Sequence, residues 1–184
     1  MSKNLEVRET MSNYIMKMDL DDKIKLDKII YDKLINHDLI NKSKVIGIYH
    51  STESEVNTRA LIYTWLLNGK EICIPRVEDE NRMTMREIDS IEFKKEKFGD
   101  VKQPEKSSTI VLPKDIDVFI YTCTAFNEKG DRLGKGFGYF NNYLKDYKGP
   151  KICLAYDLQK LKNDVEVEQW DNKPDIIITE TKPS

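Results

Sequence analysis

The residues whose types and spacing could support chemistry begin with a glycine-rich segment, residues 132–140. It reads Arg-Leu-Gly-Lys-Gly-Phe-Gly-Tyr-Phe, with glycines at alternate positions. Glycine lets a backbone turn sharply and lets its N–H groups approach an anion, while Arg132 and Lys135 supply positive charge. A helix predicted over residues 139–147 would add its positive N-terminal end. The segment fits a phosphate-binding loop, and it fits a purely structural, flexible loop equally well.

The common nucleotide-binding fingerprints do not describe this segment. It lacks the Gly-x-x-x-x-Gly-Lys-Ser/Thr order of a P-loop, and its third glycine comes one residue too early for Gly-x-Gly-x-x-Gly. The polar residues 127–131 also separate it from the preceding apolar run, whereas a Rossmann loop follows its strand directly. Spacing alone therefore leaves the ligand open.

Two further groups of residues each have two interpretations. Glu55 could aim a carboxylate into a crevice beside His50, or it could be a first-turn acid that complements a helix dipole. Met83 and Met85, with Phe98 further along the chain, could line a flat aromatic ligand. Methionines at strand spacing are also typical of a core.

Metal and thiol chemistry have little support in the residue pattern. His37 and His50 are the only histidines, so a histidine metal cluster cannot form. The three cysteines lie in separate apolar runs without a Cys-x-x-Cys pair, which indicates buried, reduced thiols. Asp171, between Trp170 and Asn172, could bind a cation or could occupy an ordinary turn.

Composition limits the protein class. The chain has 184 residues, and its 34% charged residues nearly cancel to a net charge of −2 with both signs dispersed. We expect no nucleic-acid binding. The N-terminus is charged at once, and no window approaches the roughly 20 apolar residues of a membrane-spanning helix. We expect a cytoplasmic protein that does not bind membranes.

The elements that must position these residues alternate between helices and short apolar strands. Helical spacing covers the first forty residues, with a cap at 19–22, and a helix is predicted from residue 57 or 58 to 67. Buried strands are predicted at residues 44–49, 71–75, 117–121, 152–155 and 175–178. We expect residues 83–88 to form a half-exposed strand and residues 94–114 to contain little regular structure.

This alternation predicts an α/β fold. We expect a three-layer sandwich with a mainly parallel, Rossmann-like central sheet, formed by a single domain over residues 1–184. The unit at residues 44–75 implies parallel pairing of its two strands. Ligands of such sheets bind outside the carboxyl ends of the strands, which makes the residues after each strand candidates for the site.

In order along the chain, these segments resemble the 5-formyltetrahydrofolate cyclo-ligase family. The match covers nearly the whole chain, and the glycine-rich motif is its most specific part. The matching residues are Arg8, Glu55-Val56-Asn57-Thr58, Pro75-Arg76, Met83-Thr84-Met85, Gln103-Pro104, Ala125-Phe126-Asn127, Gly130, the segment 132–141, Ala155-Tyr156, Gln159, Trp170-Asp171 and the segment 175–180.

The resemblance implies an ATP- and magnesium-dependent ring closure. The substrate would be 5-formyltetrahydrofolate, with or without a polyglutamate tail, and the products 5,10-methenyltetrahydrofolate, ADP and phosphate. In this chemistry the formyl oxygen attacks the γ-phosphate, and N10 then attacks the same carbon as phosphate leaves. The protein mainly supplies positioning and charge neutralisation.

The resemblance also implies roles for individual residues. The catalytic residues would be Glu55, Lys135 and Arg132. ATP would contact Arg8, Arg132, Leu133, Gly134, Lys135, Gly136, Phe137, Gly138, Tyr139 and Phe140. The folate would contact His50, Glu55, Met83, Met85, Phe98, Lys135 and Tyr139. Magnesium would be held by Asp171 and Asn141.

One departure from the family pattern bears on the metal. Asn141 stands where the family has an aspartate associated with magnesium. A neutral amide oxygen binds a hard dication less strongly than a carboxylate does, so we expect weaker metal affinity. Two alternatives therefore stay open: a paralogue that uses the same loop on another small molecule, and a degenerate member that binds folate or nucleotide without turnover.

Overall fold

The computed structural model describes residues 3–93, 95–98, 101–162 and 172–182. The helices of these residues are α1 (Lys3–Met16), α2 (Leu20–Ile35), α3 (Asp38–Lys42), α4 (Arg59–Leu67) and α5 (Tyr139–Leu144). The strands are β1 (Val45–Ile48), β2 (Glu71–Val77), β3 (Met83–Ile88), β4 (Lys95–Phe98), β5 (Val101–Pro104), β6 (Ile110–Val111), β7 (Val118–Thr122), β8 (Ala125–Phe126), β9 (Arg132–Leu133), β10 (Lys151–Leu154) and β11 (Ile176–Ile178).

The central sheet has the order β11-β10-β7-β1-β2-β3-β6 within the described residues. The strands from β11 to β2 run parallel, while β3 is antiparallel to both of its neighbours. From β1 the chain first moves to β2 on one side and later returns to β7 on the other. The carboxyl ends of β1 and β7 therefore border a topological switch point, where α/β sheets bind ligands.

Both faces of the sheet are covered, because successive side chains of a strand point to opposite faces. On one face Ile46, Ile48 and Ile120 pack in a core that includes Leu34 of α2 and Trp65 of α4. On the other face, Cys73, Phe119, Tyr121 and Cys153 pack with Leu144 of α5 and Tyr147. The predicted three-layer α/β arrangement with a mainly parallel sheet is confirmed.

Local signals account for several element boundaries. The Asp19 carboxylate accepts hydrogen bonds from the backbone N–H groups of Asp21 and Asp22, which confirms the predicted cap of α2. Gly69, just after α4, has a φ of +76°, the left-handed conformation that commonly ends a helix. α5 ends at Leu144, three residues before its predicted end.

Two predictions around β3 are wrong. Residues 83–88 are mostly buried instead of half-exposed, because β3 lies between β2 and β6 and Met83, Met85 and Ile88 all pack into the core. Residues 94–114 contain β4, β5, β6 and a short 3₁₀ helix. Hydrogen bonds from β2 hold this segment in place. Arg76 Nη1 donates to Pro104 O at 2.5 Å, and Val77 N donates to Gln103 Oε1 at 3.0 Å.

The three cysteines are free and buried, as predicted from their apolar surroundings. Burial raises the pKa of the Cys73 thiol far above its ordinary value. None of the helices in the described residues combines the length and apolar character needed to span a bilayer.

Candidate active site

A cavity of about 450 Å³ opens at the carboxyl ends of β1 and β7. Its walls come from α1, from the β1–α4 loop (residues 49–58), from the segment after β7 and from the glycine loop (residues 134–138). Side chains from all four walls meet there, among them Arg8, Glu55, Thr124, Lys135 and Phe137, and Gln159 joins them from the segment after β10. The cavity therefore lies where the sheet topology predicts a ligand site.

The β1–α4 loop is fixed at both ends by hydrogen bonds. Ser51 N donates to Thr58 Oγ1, and Thr58 N donates to Ser51 Oγ, both at 3.1 Å. The Tyr49 hydroxyl donates to Val56 O at 2.9 Å, and this tyrosine is buried. Because buried polar groups in such loops are costly to leave unpaired, this arrangement specifies one loop conformation.

The carboxylate of Glu55 is held on both oxygens. Oε2 accepts from Thr52 N at 2.7 Å and from Thr52 Oγ1 at 2.9 Å, while Oε1 lies 2.7 Å from Lys135 Nζ. The Glu55 side chain is only 6% exposed and that of Lys135 is 40% exposed. A fixed, largely buried acid thus meets a more accessible cation at the cavity.

The glycine loop uses backbone conformations that favour glycine. Gly136 has a φ of +100° and Gly138, at the N-terminus of α5, a φ of +74°. A Cβ placed on Gly136 would lie 3.2 Å from Arg8 Cζ. Arg8 Nε donates to Gly134 O at 2.8 Å, which joins α1 to the loop. The loop therefore contributes turned backbone and the cation of Lys135, and α1 places the cation of Arg8 beside them.

Arg132 lies in the protein interior and is 2% exposed. Its guanidinium carbon lies 4.6 Å from the ring centre of Tyr121, and its nitrogens donate to Asn172 O at 3.0 Å and to Asn141 Oδ1 at 2.5 Å. These contacts join β9 to α5 and to the segment before β11. Its expected ATP-binding and catalytic roles stay predictions, because the structure does not bring Arg132 into contact with the Glu55–Lys135 pair.

The surroundings of Asn141 do not fit a metal ligand. A carbonyl oxygen has two lone pairs, and Asn141 Oδ1 accepts from Arg132 and, at 3.3 Å, from Asn172 N. The adjacent guanidinium also repels a dication. Asp171, the other expected ligand, lies outside the described residues. Within those residues, no group of three or more His, Cys, Asp or Glu side chains could hold a metal ion.

The other expected nucleotide contacts divide between the loop surface and the interior. Phe137 is 70% exposed and stacks on Tyr139, with their ring centres 6.1 Å apart. Leu133 is buried, and the Phe140 ring packs 6.0 Å from the ring of Phe119. Phe137 therefore faces the cavity, whereas Leu133 and Phe140 anchor the ends of the loop.

The expected folate contacts are more widely separated. The rings of His50 and Phe93 lie perpendicular to each other, with their centres 5.5 Å apart. Met83 and Met85 pack in the core with Phe119. They therefore lie where the alternative interpretation, as core residues, places them. Phe98 belongs to β4, and its side chain lies outside the described part of the structure.

Several cavity residues were not predicted as site residues, although Gln159 was among the residues that match the family pattern. Cys123 and Thr124 follow β7 directly, so the strand-end rule could have identified them. Ser12 lies one helical turn after Arg8, on the same face of α1. Gln159 is placed by donating its amide to Cys123 O at 2.8 Å and to Thr124 O at 3.0 Å. Only the folded chain reveals this last contact.

The sheet is doubly wound and has a cavity at its switch point, and paired charges and a glycine loop line this cavity. These features are typical of α/β proteins that bind nucleotides or other small ligands. A sequence profile of the 5-formyltetrahydrofolate cyclo-ligase family matches residues 1–180. The chain therefore belongs to the 5-formyltetrahydrofolate cyclo-ligase family, and the resemblance found in its motifs is confirmed. It is an enzyme of the ligase class.

Individual relatives agree with this family. The chain is 28% identical over 137 residues to the 5-formyltetrahydrofolate cyclo-ligase of Haemophilus influenzae, covering 71% of this chain and 72% of the relative. It is 24% identical over 196 residues to the mouse enzyme, covering 97% and 94%.

Solved structures agree in fold. The Aquifex aeolicus 5,10-methenyltetrahydrofolate synthetase is 25% identical, with a TM-score of 0.86 and coverage of 98% of this chain and 91% of that one. The Mycoplasma pneumoniae 5,10-methenyltetrahydrofolate synthetase, at 23% identity, has a TM-score of 0.79 and coverage of 97% and 99%. The second likeness is one of fold alone.

Proposed function

We propose that this chain uses ATP to convert 5-formyltetrahydrofolate into 5,10-methenyltetrahydrofolate, with release of ADP and phosphate. The family supports the reaction, and one contact carries its assignment to this cavity. Lys135 Nζ of the glycine loop lies 2.7 Å from Glu55 Oε1 of the β1–α4 loop. A phosphate-binding wall and a carboxylate-bearing wall thus meet at one point. We extend the proposal to the organisation of the chain, with residues 1–184 forming one cyclo-ligase domain.

The reaction needs an activated formyl oxygen. ATP supplies the phosphoryl group that turns this oxygen into a leaving group, so that N10 can close the ring and release phosphate. Phosphoryl transfer asks a protein mainly for alignment and for neutralisation of charge on the phosphate oxygens. The cavity side chains can supply both.

The glycine loop fits the phosphates. The positive φ angles of Gly136 and Gly138 turn the backbone at the wall of the cavity, and a Cβ at Gly136 would lie in tight contact with Arg8, 3.2 Å from its Cζ. Turned backbone of this kind can direct N–H groups at an anion. Arg8 and Lys135 would add two cations, and Lys135 would neutralise the charge that develops during transfer.

Glu55 fits the folate. Its carboxylate is fixed by Thr52 and is an acceptor, so it can receive N–H donors from the reduced pterin and orient the formyl group toward Lys135. At about 450 Å³ the cavity lies within the range of ordinary small-molecule sites, about 300 to 1,000 Å³. His50, Tyr139 and Phe98 stay proposed folate contacts.

Magnesium enters this proposal with the nucleotide, because Mg²⁺ is commonly held by substrate phosphates and one or two carboxylates. The Asn141 oxygen does not fit this role, since its lone pairs already accept from Arg132 and Asn172. Asp171 is the proposed carboxylate.

The test is a turnover assay. Purified protein is mixed with 5-formyltetrahydrofolate, ATP and Mg²⁺, and the absorbance of the methenyl product is followed while each component is omitted in turn. We expect product only in the complete mixture. No product at any magnesium concentration would overturn the proposal. ATP consumption without methenyl product would indicate a paralogue with another substrate, and folate binding without turnover would indicate a degenerate member.

A further inference from the structure

Three hydrogen bonds converge on Asp27 of α2, a residue outside the cavity. Its Oδ2 lies 3.0 Å from Lys23 Nζ, and its Oδ1 accepts from Asn57 N at 3.1 Å and from the Tyr156 hydroxyl at 2.5 Å. Asn57 belongs to the β1–α4 loop, two residues after Glu55. The Asp27 carboxylate thus joins α2, the loop that carries Glu55 and the end of β10.

Tyr156 also contacts the same loop directly. This side chain is fully buried, and its hydroxyl also lies 3.3 Å from Glu55 O. A phenol has one proton to donate, so the nearer Asp27 carboxylate receives it and the Glu55 carbonyl has the weaker share. Burial, and then the hydrogen bond to Asp27, raises the pKa of Tyr156 far above its ordinary value. The hydroxyl therefore stays protonated and serves as a permanent donor.

The backbone of Tyr156 is tied to the floor of the cavity. Tyr156 N donates to Gln159 Oε1 at 2.7 Å, and Gln159 Nε2 donates to the carbonyls of Cys123 and Thr124. Cys123, Thr124 and Gln159 all line the cavity. The short segment from Tyr156 to Gln159 therefore connects the floor of the cavity to the loop that carries Glu55.

We infer that Asp27 and Tyr156 are positioning residues for the reaction, acting through Glu55. They contact the loop backbone directly after the Glu55 side chain, at Glu55 O and Asn57 N. This inference rests on the proposed function, because it assigns Glu55 the substrate-orienting role. A misplacement of about 1 Å at a reacting group can lower a rate about 100-fold, so loss of such support has a measurable effect.

The test is a double-mutant cycle on turnover. Tyr156→Phe removes the hydroxyl and keeps the ring, and its effect on kcat/KM is measured in the wild-type and in the Glu55→Gln background. We expect a loss of about 10- to 100-fold in the wild-type background. In the Glu55→Gln background the further loss should be less than about twofold, because the residue through which Tyr156 acts is already gone. Asp27→Asn, in the same cycle, provides a second variant.

Matched controls come from the same helix. Tyr31→Phe removes a hydroxyl that lies 2.8 Å from Thr64 Oγ1, and Asp32→Asn removes an exposed partner of Lys28. Both should leave kcat/KM unchanged. Thermal unfolding of every variant confirms that it is folded. The inference would be overturned if a variant lowered kcat/KM by the same factor in both backgrounds. It would also be overturned if neither Tyr156→Phe nor Asp27→Asn lowered kcat/KM in the wild-type background.

The proposed function is judged separately in the wild-type protein. If the wild-type protein makes methenyl product, but the effects of the Tyr156 and Glu55 substitutions on kcat/KM are independent, the inference fails and the proposed function stands. If the wild-type binds 5-formyltetrahydrofolate without turnover, the same cycle is measured on the dissociation constant by calorimetry. Absence of both turnover and folate binding overturns the proposed function and the inference together.

Discussion

The β1–α4 loop and the glycine loop face each other across one cavity, and they are built in opposite ways. The first has a buried core that includes Ser51, Glu55 and Thr58, and side-chain hydrogen bonds fix it from Ser51 to Thr58. The second is largely exposed, with Phe137 70% accessible and Lys135 40% accessible. Its described long-range anchors are Arg8 on Gly134 O and Lys135 on Glu55.

This difference matches the two ligands of the proposed reaction. A folate ring has a fixed pattern of donors and acceptors, which a rigid acceptor such as Glu55 can match in shape and direction. A triphosphate is flexible and strongly charged, and an adaptable loop with cations can close around it. We therefore expect substitutions in the β1–α4 loop to disturb the orientation of the folate. Substitutions in the glycine loop should weaken the binding and cleavage of ATP.

The largest effect is expected from Glu55→Gln. The amide keeps the shape but loses the charge that faces Lys135 and the second acceptor that the folate requires. We expect kcat/KM for 5-formyltetrahydrofolate to fall about 100- to 1,000-fold, the size seen when one preorganised polar group is lost from an active site. Steady-state kinetics measure it. The matched control, Glu53→Gln, changes an exposed acid of the same loop and should have no effect.

A somewhat smaller effect is expected from Lys135→Ala. If Lys135 neutralises the transferring phosphate, kcat should fall about 100-fold while the affinity for the folate changes little. Lys145→Ala, at the exposed end of α5, is the control. Equal losses of rate and of folate affinity would mean that Lys135 only binds substrate, and the contrast between the two loops would be lost.

The glycine loop can be probed by a matched pair of alanine variants. Both Gly136 and Gly138 have positive φ, which costs other residues about 1 to 2 kcal/mol. Only at Gly136 would the new Cβ press on Arg8, whereas no atom lies within 4 Å of a Cβ at Gly138. We expect Gly136→Ala to raise the KM for ATP about tenfold more than Gly138→Ala does. Similar values for the two variants would contradict a role for Arg8 beside the loop.

The smallest effect on rate is expected at Glu78, which does not line the cavity. Desolvation raises the pKa of its carboxyl, but hydrogen bonds from Thr84 and Arg86 and the charges of Arg86 and Arg76 outweigh it and lower the pKa below its ordinary value. A lowered folded-state pKa stabilises the fold above the unfolded-state pKa, about 4.3, and this contribution is lost as the pH falls through the folded-state value.

Glu78→Gln should therefore lower the free energy of unfolding at pH 7 by about 2 kcal/mol and leave kcat/KM unchanged. The difference from the wild-type should narrow as the pH falls below about 4. Urea unfolding at several pH values measures it. A difference that stays constant with pH would show that packing, and not the ionised carboxylate, is responsible.

The sequence predicted the parts of the molecule that depend on local pattern. Alternating helices and apolar strands gave the parallel sheet, and Asp19 and Gly69 marked helix boundaries through capping chemistry. The ordered motifs predicted the family, and Glu55 and Lys135 meet in the cavity. These features can be read within short windows or from recurring motifs.

The remaining parts depend on contacts between distant residues. Asp27 lies 129 positions from Tyr156, and nothing in its helical surroundings distinguishes it from the other acids of α2. The burial of Arg132 and the pairing of Asn141 with it depend on the docking of Asn172. Met83 and Met85 had suitable types for a ring-binding wall, but the position of β3 inside the sheet places them in the core.

In the proposed function, the two loops together couple ATP cleavage to ring closure of the folate. This coupling is tested by measuring ADP release and methenyl product in the same reaction of the wild-type enzyme with 5-formyltetrahydrofolate, ATP and Mg²⁺. We expect equal amounts of both products throughout the reaction and neither product when the folate is omitted. ADP formed without methenyl product, or methenyl product formed without ADP, would contradict it.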